Sequence, residues 1–457
     1  MVDQSVEQEK QYEVTCVDEL VRKDHLLRKI AKYVDFRFIR EKTRPLYAEN
    51  IGRPAIDPVV LFKMLFIGYL YGIRSERRLV QEINDNIAYR WFLGFGFRDR
   101  IPDHSTLSQN RRRRFNGTPI FQEIFDEIVR QAISKGLIDG KVIYTDSTHV
   151  KANANKKKFL PPEVPVSVKA YEADLDKAVE EDRRDHGRKP LKAKRDVTPE
   201  TRQIKVSTTD PESGYMMREG KPEGFFYLNH RSVDGKYNFV TDVHVTPANQ
   251  TDAECYLERL DRQKAAFDFA IQAVGLDAGY MTTPICKGLE DRRILGVIGH
   301  RRFHPVKGLF QKWKFRYDAE SDTYTCPNGK ILTYGTTNRE GMRIYNSRRQ
   351  DCSQCPLREQ CTRSKSMRKQ ITRHVWEDAR ENVREYRLSD FGKEVYARRK
   401  ETIERSFADG KELHGLRYAR MRGLLKVLEQ CLVSAAVQNM KKMALILARR
   451  ELAVWAV

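Results

Sequence analysis

Apolar and polar positions divide the chain into stretches of different kinds. In "AIDPVVLFKMLFIGYLYGI" apolar residues run from Val59 to Tyr71, interrupted only by Lys63 and Gly68. With Asp57 placed as a cap and Pro58 at the first helical position, this predicts a buried helix. It falls short of the ~20 residues that cross a bilayer, so no membrane partner is expected. "SERRLVQEIND" from Ser75 and "STLSQNRRRRF" with Ser105 as its cap predict two more helices. "FQEIFDEIVRQAISKGL" has apolar residues at helical spacing and leads into a β-branched run, Val142 to Tyr144.

From Lys156 to about Thr208 large apolar residues become scarce and charges dense. That predicts an insertion with one charged helix and a flexible basic segment. Alternation returns in "GFFYLNHRSVDGKYNFVTDVHVTPAN", whose two runs flank Asp234-Gly235, a hairpin signal. "DAECYLERLDRQKAAF" predicts a helix, "FAIQAVGLDAGY" a strand ending at Asp277, and "ILGVIGH" a further strand. The chain closes in helices, the last from about Leu424 to Arg449. The expected core order is strand, strand, strand, helix, strand, helix, strand. The expected divisions are 1–135, helical; 136–300, the first part of an α/β domain; 301–374, a cysteine-rich insertion; and 375–457, helices completing that domain.

Charge changes this picture from a generic α/β protein to one with a polyanionic partner. The 84 Lys+Arg against 63 Asp+Glu give a net charge of +21 over 457 residues, and the basic residues occur throughout the chain. Nucleic acid is the partner such an excess favours. The polar, acidic opening "MVDQSVEQEKQYEV" is not a secretory signal, so a cytoplasmic location is expected. Arg111 to Arg114 end the third helix, either as part of a helix-turn-helix unit or as water-facing side chains of a bundle.

Asp146 and Asp277 share one local pattern: an apolar strand, then Asp, then small residues ("DSTH", "DAGY"). Side by side at a sheet edge, two such carboxylates repel unless a divalent cation bridges them. Taken singly, each would serve equally well to cap a turn. A third carboxylate is available in "VYARRKETIERSFADGKEL", where Glu404 borders the apolar face made by Ile403 and Phe407. Glu401, one turn earlier, is the alternative. Lys151 and Lys156 to Lys158 would neutralise phosphates beside Asp146. Cys326, Cys352, Cys355 and Cys361 ("CPNGK", "CSQCPLREQC") offer four thiolates to a structural zinc ion. Free buried thiols are the alternative there, because the Cys355 to Cys361 gap is wide. Cys16, Cys255, Cys286 and Cys431 are isolated, and His149 and His300 are read as packing residues.

These stretches resemble the DDE-type transposases of bacterial insertion sequences, in the branch that bears a cysteine cluster. "YTDSTHVKANAN" is similar to the first-aspartate segment and "VTPANQTD…GLDAGY" to the approach to the second. "YARRKETIERSF…GLRYARMRGL" is similar to the glutamate helix, and "PAIDPVVLFKMLFIGYLYGIRSERRLVQEI" to the helical N-terminal domain. The resemblance implies a ribonuclease H-like catalytic domain with Asp146, Asp277 and Glu404 as catalytic, metal-binding residues for two Mg²⁺ or Mn²⁺ ions. It implies Tyr396, Arg399 and Lys411 as contacts to the DNA backbone. One residue more than the family pattern separates Arg399 from Glu404, which leaves Lys400 as an alternative to Arg399. The implied partners are double-stranded DNA, as terminal inverted repeats and as target, and a second protomer on that DNA. The implied location is the bacterial nucleoid. A metal-dependent nuclease that cuts without joining, and a non-catalytic or decayed DNA-binding form, are the other readings of the same features.

Overall fold

Asp57 accepts the Val59 amide at 2.9 Å and Pro58 takes the first helical position, which starts helix α2 (Pro58–Leu70) as expected. The structure, a computed structural model, describes residues 14–48, 55–161, 163–165, 171–192, 201–217, 220, 223–300 and 306–455. Before α2 lies α1 (Leu26–Tyr33), and after it come α3 (Glu76–Asp85), α4 (His104–Asn110) and α5 (Ile120–Ser134). Ser75 caps α3 by accepting the Arg78 amide at 3.3 Å. The cap of α4 is Asp103 instead of Ser105: its carboxylate accepts the Ser105 amide at 2.8 Å. An extended aspartate two residues earlier holds the free amides more strongly than the serine does. Beyond α4 the helix continues through a π-helical turn, Arg111–Phe115.

The central sheet is built on β1 (Val142–Lys151), with β2 (Gly224–Asp234) antiparallel to it and β3 (Val240–Pro247) antiparallel to β2. Helix α6 (Tyr256–Phe267) leads to β4 (Ala273–Leu276), and α7 (Thr283–Asp291) leads to β5 (Leu295–Ile298). Both of these strands run parallel, giving the order β3-β2-β1-β4-β5. The sequence of element types is the expected one, but two details differ. β1 does not stop at Tyr144: β2 pairs with it from Ile143↔Asp234 to Lys151↔Phe226, so Asp146 lies within the strand. Asp234-Gly235 is not a two-residue hairpin turn either. Asp234 is fully buried and accepts the amides of Gly140 and Lys236, both at 2.9 Å, which keeps it in β2. The reversal falls beyond it, with Asn238 at φ 63°.

After β5 comes a five-stranded antiparallel meander: β6 (Arg316–Asp318), β7 (Thr323–Thr325), β8 (Ile331–Thr337), β9 (Met342–Ser347) and β10 (Gln370–His374). It has its own small core of Phe315, Tyr324, Leu332, Tyr345 and Ile371. The predicted charged helix is present as Glu172–Asp185, and it docks on this meander. Asp182 is buried and accepts from Arg343 at 2.6 Å, and the His186 ring stacks on Tyr334 at 3.8 Å. The two insertions therefore form one unit. The predicted basic segment falls largely on 166–170 and 193–200, outside the described residues.

The chain ends in α8 (Glu377–Leu388), α9 (Asp390–Ala397), a π-helical turn (Lys400–Glu404), α10 (Arg405–Leu413) and α11 (Leu424–Trp455). By length and composition α11 would span a bilayer, which the shorter Val59 to Tyr71 stretch would not. Here it is a core helix packed on α1, α2, α5 and β3. Asn439 of α11 satisfies both the amide and the carbonyl of Val240, at 2.9 and 2.7 Å.

Candidate active site

The parallel register Thr145↔Leu276 makes Asp146 and Asp277 the next residues on neighbouring strands. Asp277 accepts the Gly279 amide at 2.7 Å and so starts the turn Ala278–Tyr280. The Asp146 side chain is only 20% exposed. Burial pushes its pKa up to about 6; Arg399 pulls it down, and the charge of Asp277 pushes it further up. Arg399 donates from Nη2 to Asp146 Oδ2 at 2.8 Å.

How Arg399 reaches that position explains the extra residue before Glu404. In the π-helical turn the Glu404 amide bonds the Arg399 carbonyl, five residues back instead of four, at 3.3 Å. A π turn absorbs one inserted residue while the faces on either side keep their alignment. Arg399 is thus the residue at the site, and Lys400 is exposed. Lys411 Nζ donates to Thr148 Oγ1 at 2.6 Å, two residues along β1 from Asp146. Glu404 sits between these two anchors, two helical turns before Lys411, with its side chain exposed. The alternative, Glu401, lies where its carbonyl accepts from Asn238 in the β2–β3 loop, at the other end of the sheet. Tyr396 reaches the turn after Asp277: a Cβ on Gly299 would stand 2.7 Å from its hydroxyl and 2.8 Å from the Ala278 nitrogen.

Four residues of the site were not singled out in the sequence. Ser147 donates through Oγ to Asp252 at 2.8 Å and through its amide to Asp146 at 2.8 Å, which makes Asp252 a third acid here. Asp252 stands in the quoted "VTPANQTD", so the signal was within reach. Tyr280 is fully buried, and its hydroxyl has no hydrogen-bond partner among the described residues. Burial raises its pKa well above the ordinary value, and the charges of Asp252, Asp146 and Asp277 add to this. Arg231, directly across β2 from Asp146, is buried and donates to the carbonyl of Ser406 at 3.0 Å and to its hydroxyl at 2.9 Å. It fastens α10 to the sheet, and burial pushes its pKa down to about 10.

Among the described residues no three His, Cys, Asp or Glu side chains gather closely enough to hold a metal ion. The triad is therefore brought together only in part: Asp146 is held by Arg399, and Glu404 faces solvent. In donor chemistry the three carboxylates suit a hard divalent cation. The neighbouring pair, with Asp146 raised to about 6, is an arrangement that a second cation would relieve. The four clustered cysteines line one small cavity of about 20 Å³. Lys330 donates its amide to Cys326 Sγ at 3.3 Å, Cys352 donates to Ser347 at 3.1 Å, and Asn328 donates to Cys355 at 3.5 Å. Among the arginines at the end of α4, Arg112 and Arg113 are exposed. Arg111 does not face outward, because it is largely covered and held in ion pairs with Glu76 and Glu429. Arg114 turns back over the Tyr47 ring at 4.5 Å.

Strand order β3-β2-β1-β4-β5 with paired aspartates on β1 and after β4 defines a ribonuclease H-like catalytic domain. The family described as "Transposase domain (DUF772)" matches residues 15–113, and the one described as "Transposase DDE domain" matches residues 325–444. Both matched families are described as transposases, and together the two matches support a DDE-type transposase. No curated protein matches its sequence. Among solved structures it is similar to the piggyBac transposase synaptic complex with hairpin DNA, at 9% identity over 94% of this chain and 74% of that one, TM-score 0.34. It is also similar to the Mos1 transposase paired-end complex with left transposon end, at 10% identity over 55% of this chain and 61% of that one, TM-score 0.17. For the Mos1 mariner paired end complex with Mn the values are 11%, 57%, 64% and 0.17.

Proposed function

We propose that this chain is the transposase of a bacterial insertion sequence, acting in the cytoplasm on nucleoid DNA. It binds the terminal inverted repeats, hydrolyses a phosphodiester at each end, and joins the freed 3′-hydroxyl to target DNA. Two protomers on the DNA pair the two ends. The observation that carries this reading is the neighbouring placement of Asp146 and Asp277 in a basic chain. Asp146, Asp277 and Glu404 would hold the divalent ions, Mg²⁺ or Mn²⁺. Such ions supply charge neutralisation at the attacked phosphate and activate the attacking oxygen. Lys411, Lys151 and the exposed Arg112 and Arg113 hold backbone phosphates in place. Arg399 exchanges Asp146 for a phosphate oxygen when DNA arrives, and Tyr396 orients the strand beside Asp277.

The test is strand transfer in vitro with Mg²⁺, using a plasmid that carries the element's own ends and Glu404→Gln as the comparison. Joined products from the wild type alone support the reading and the glutamate together. Nicking without joining moves the assignment to a nuclease, and binding without cutting moves it to a regulator or a decayed enzyme.

A further inference from the structure

A second concave site lies between α2, α3, α4 and the segment that enters α11. It is a cavity of about 410 Å³, within the ~300–1,000 Å³ typical of ligand sites. Leu65, Ile73 and Leu79 are among the apolar residues that line it. Arg74, Arg112 and Lys426 line it too, and all three are exposed. Arg420 completes the basic side: Nη1 donates to the Ile73 carbonyl at 3.2 Å and the guanidinium lies 4.0 Å from the Tyr69 ring centre. Its Nε and Nη2 are buried and have no hydrogen-bond partner among the described residues. The acid in the lining, Glu76, is already neutralised by Arg111. A concave apolar wall with an excess of guanidinium groups suits an anion that also carries a flat apolar face.

The cavity is continuous with the catalytic strand. Lys151, at the end of β1, pairs with Tyr418: its amide donates to Arg417 at 3.1 Å and its carbonyl accepts from Ala419 at 2.8 Å. Tyr418 is half exposed, with Lys151 and Arg74 on its ring at 5.9 and 5.8 Å. A track therefore runs from Asp146 past Thr148 and Lys411 to Lys151, Tyr418, Arg74 and the cavity. A paired duplex presents only phosphates to such a track and leaves both Tyr418 and the apolar wall unused. An unpaired nucleotide uses both.

We infer that the cavity takes one unpaired nucleotide of the DNA strand leaving the active site, its base against the apolar wall and its phosphate on Arg74 and Arg420. The inference rests on the DNA reading above and adds a place where strand separation beside the cut is recognised. The nucleotide arrives tethered to DNA, not as a free mononucleotide.

The test compares two fluorescent probes on the full chain in EDTA: a random-sequence duplex, and the same duplex with a three-thymidine unpaired flap. Wild type is expected to bind the flapped probe roughly tenfold tighter. Ser108→Trp, which places a ring into the cavity from an exposed position on α4, is expected to abolish that preference and leave paired-duplex binding intact. Arg74→Ala is expected to reduce it, and thermal melts check that both variants fold. Equal binding of the two probes by wild type, or a preference that survives both substitutions, overturns the inference while leaving the transposase reading standing. Failure to bind either probe removes both. Competition by thymidine monophosphate with no flap preference makes this a free-nucleotide site and overturns the tethered reading.

Discussion

The Arg399 guanidinium donates to Asp146 Oδ2 at 2.8 Å, joining residues 253 positions apart in the chain. It occupies an oxygen that the proposed cation would need, so under that proposal its departure and the arrival of the cation are linked. Removing it also takes away the main downward pull on Asp146. Arg399→Gln is expected to move the acid limb of the pH–rate profile to higher pH. At neutral pH the rate should fall by roughly 100-fold, as for loss of one charge-stabilising donor. An acid limb that stays in place would show that the ion pair does not set the ionisation of Asp146.

Asp146→Asn is expected to be inactive and more stable. The folded-state pKa of about 6 lies above the unfolded value near ~3.9, so the folded chain binds the proton more tightly. Ionisation of Asp146 therefore costs stability, a cost absent below about pH 4 and complete above about pH 6. The substitution should raise stability at pH 7.5 by on the order of 1–3 kcal/mol, with the gain vanishing near pH 4. Urea melts at the two pH values read this directly, and equal midpoints at pH 7.5 would rule it out.

The arginine run at the end of α4 divides into a structural and a surface part. Arg111→Ala leaves Glu429, whose pKa burial pushes up to about 7, without its partner. The expected loss is about 3–5 kcal/mol in denaturant melts. Arg113→Ala, at an exposed position, should change stability by less than ~0.5 kcal/mol. It should instead lower the salt dependence of DNA binding by about one phosphate contact. The reverse pattern would mean that the two arginines have been assigned the wrong way round.

The meander and the Glu172–Asp185 helix are expected to loosen together. Asp182→Ala leaves Arg343 and Thr337 without their buried acceptor, at a cost of about 1–3 kcal/mol. Hydrogen exchange should then quicken in β8 and β9 as well as in the helix, while β1 to β5 keep their protection. Change confined to the helix would show that the docking is weak.

The catalytic sheet was legible because its strands alternate or run apolar over short windows, and Asp277 ends one of them. Asp146 was found for the right pattern but with the wrong strand end, because the length of β1 is set by its partner β2, about eighty residues away in the chain. Docking of the charged helix had no signal of its own: Asp182 and His186 look like solvated surface until Arg343, Thr337 and Tyr334 are placed against them. Asp252 was missed because its tie to the site runs through Ser147, a residue with no charge to draw attention. The four cysteines line one cavity, yet spacing does not tell how each sulfur is engaged. Ser147, Tyr280 and Arg231 show the general reason: contacts between residues far apart in the chain are absent from a linear reading.

The π-helical turn at Lys400–Glu404 also bears on how related chains are compared. Counting the family spacing forward from Arg399 lands on Ile403, which is fully buried, whereas counting back from Lys411 lands on Glu404. A position-by-position alignment has to break between them. The extra residue also leaves a one-residue register defect in the helix at the turn that ends on Glu404. Were that defect to pass Glu404, the carboxylate would swing by about 100° while Arg399 and Lys411 kept their anchors on β1. The third acid would then have two settings on an otherwise fixed frame.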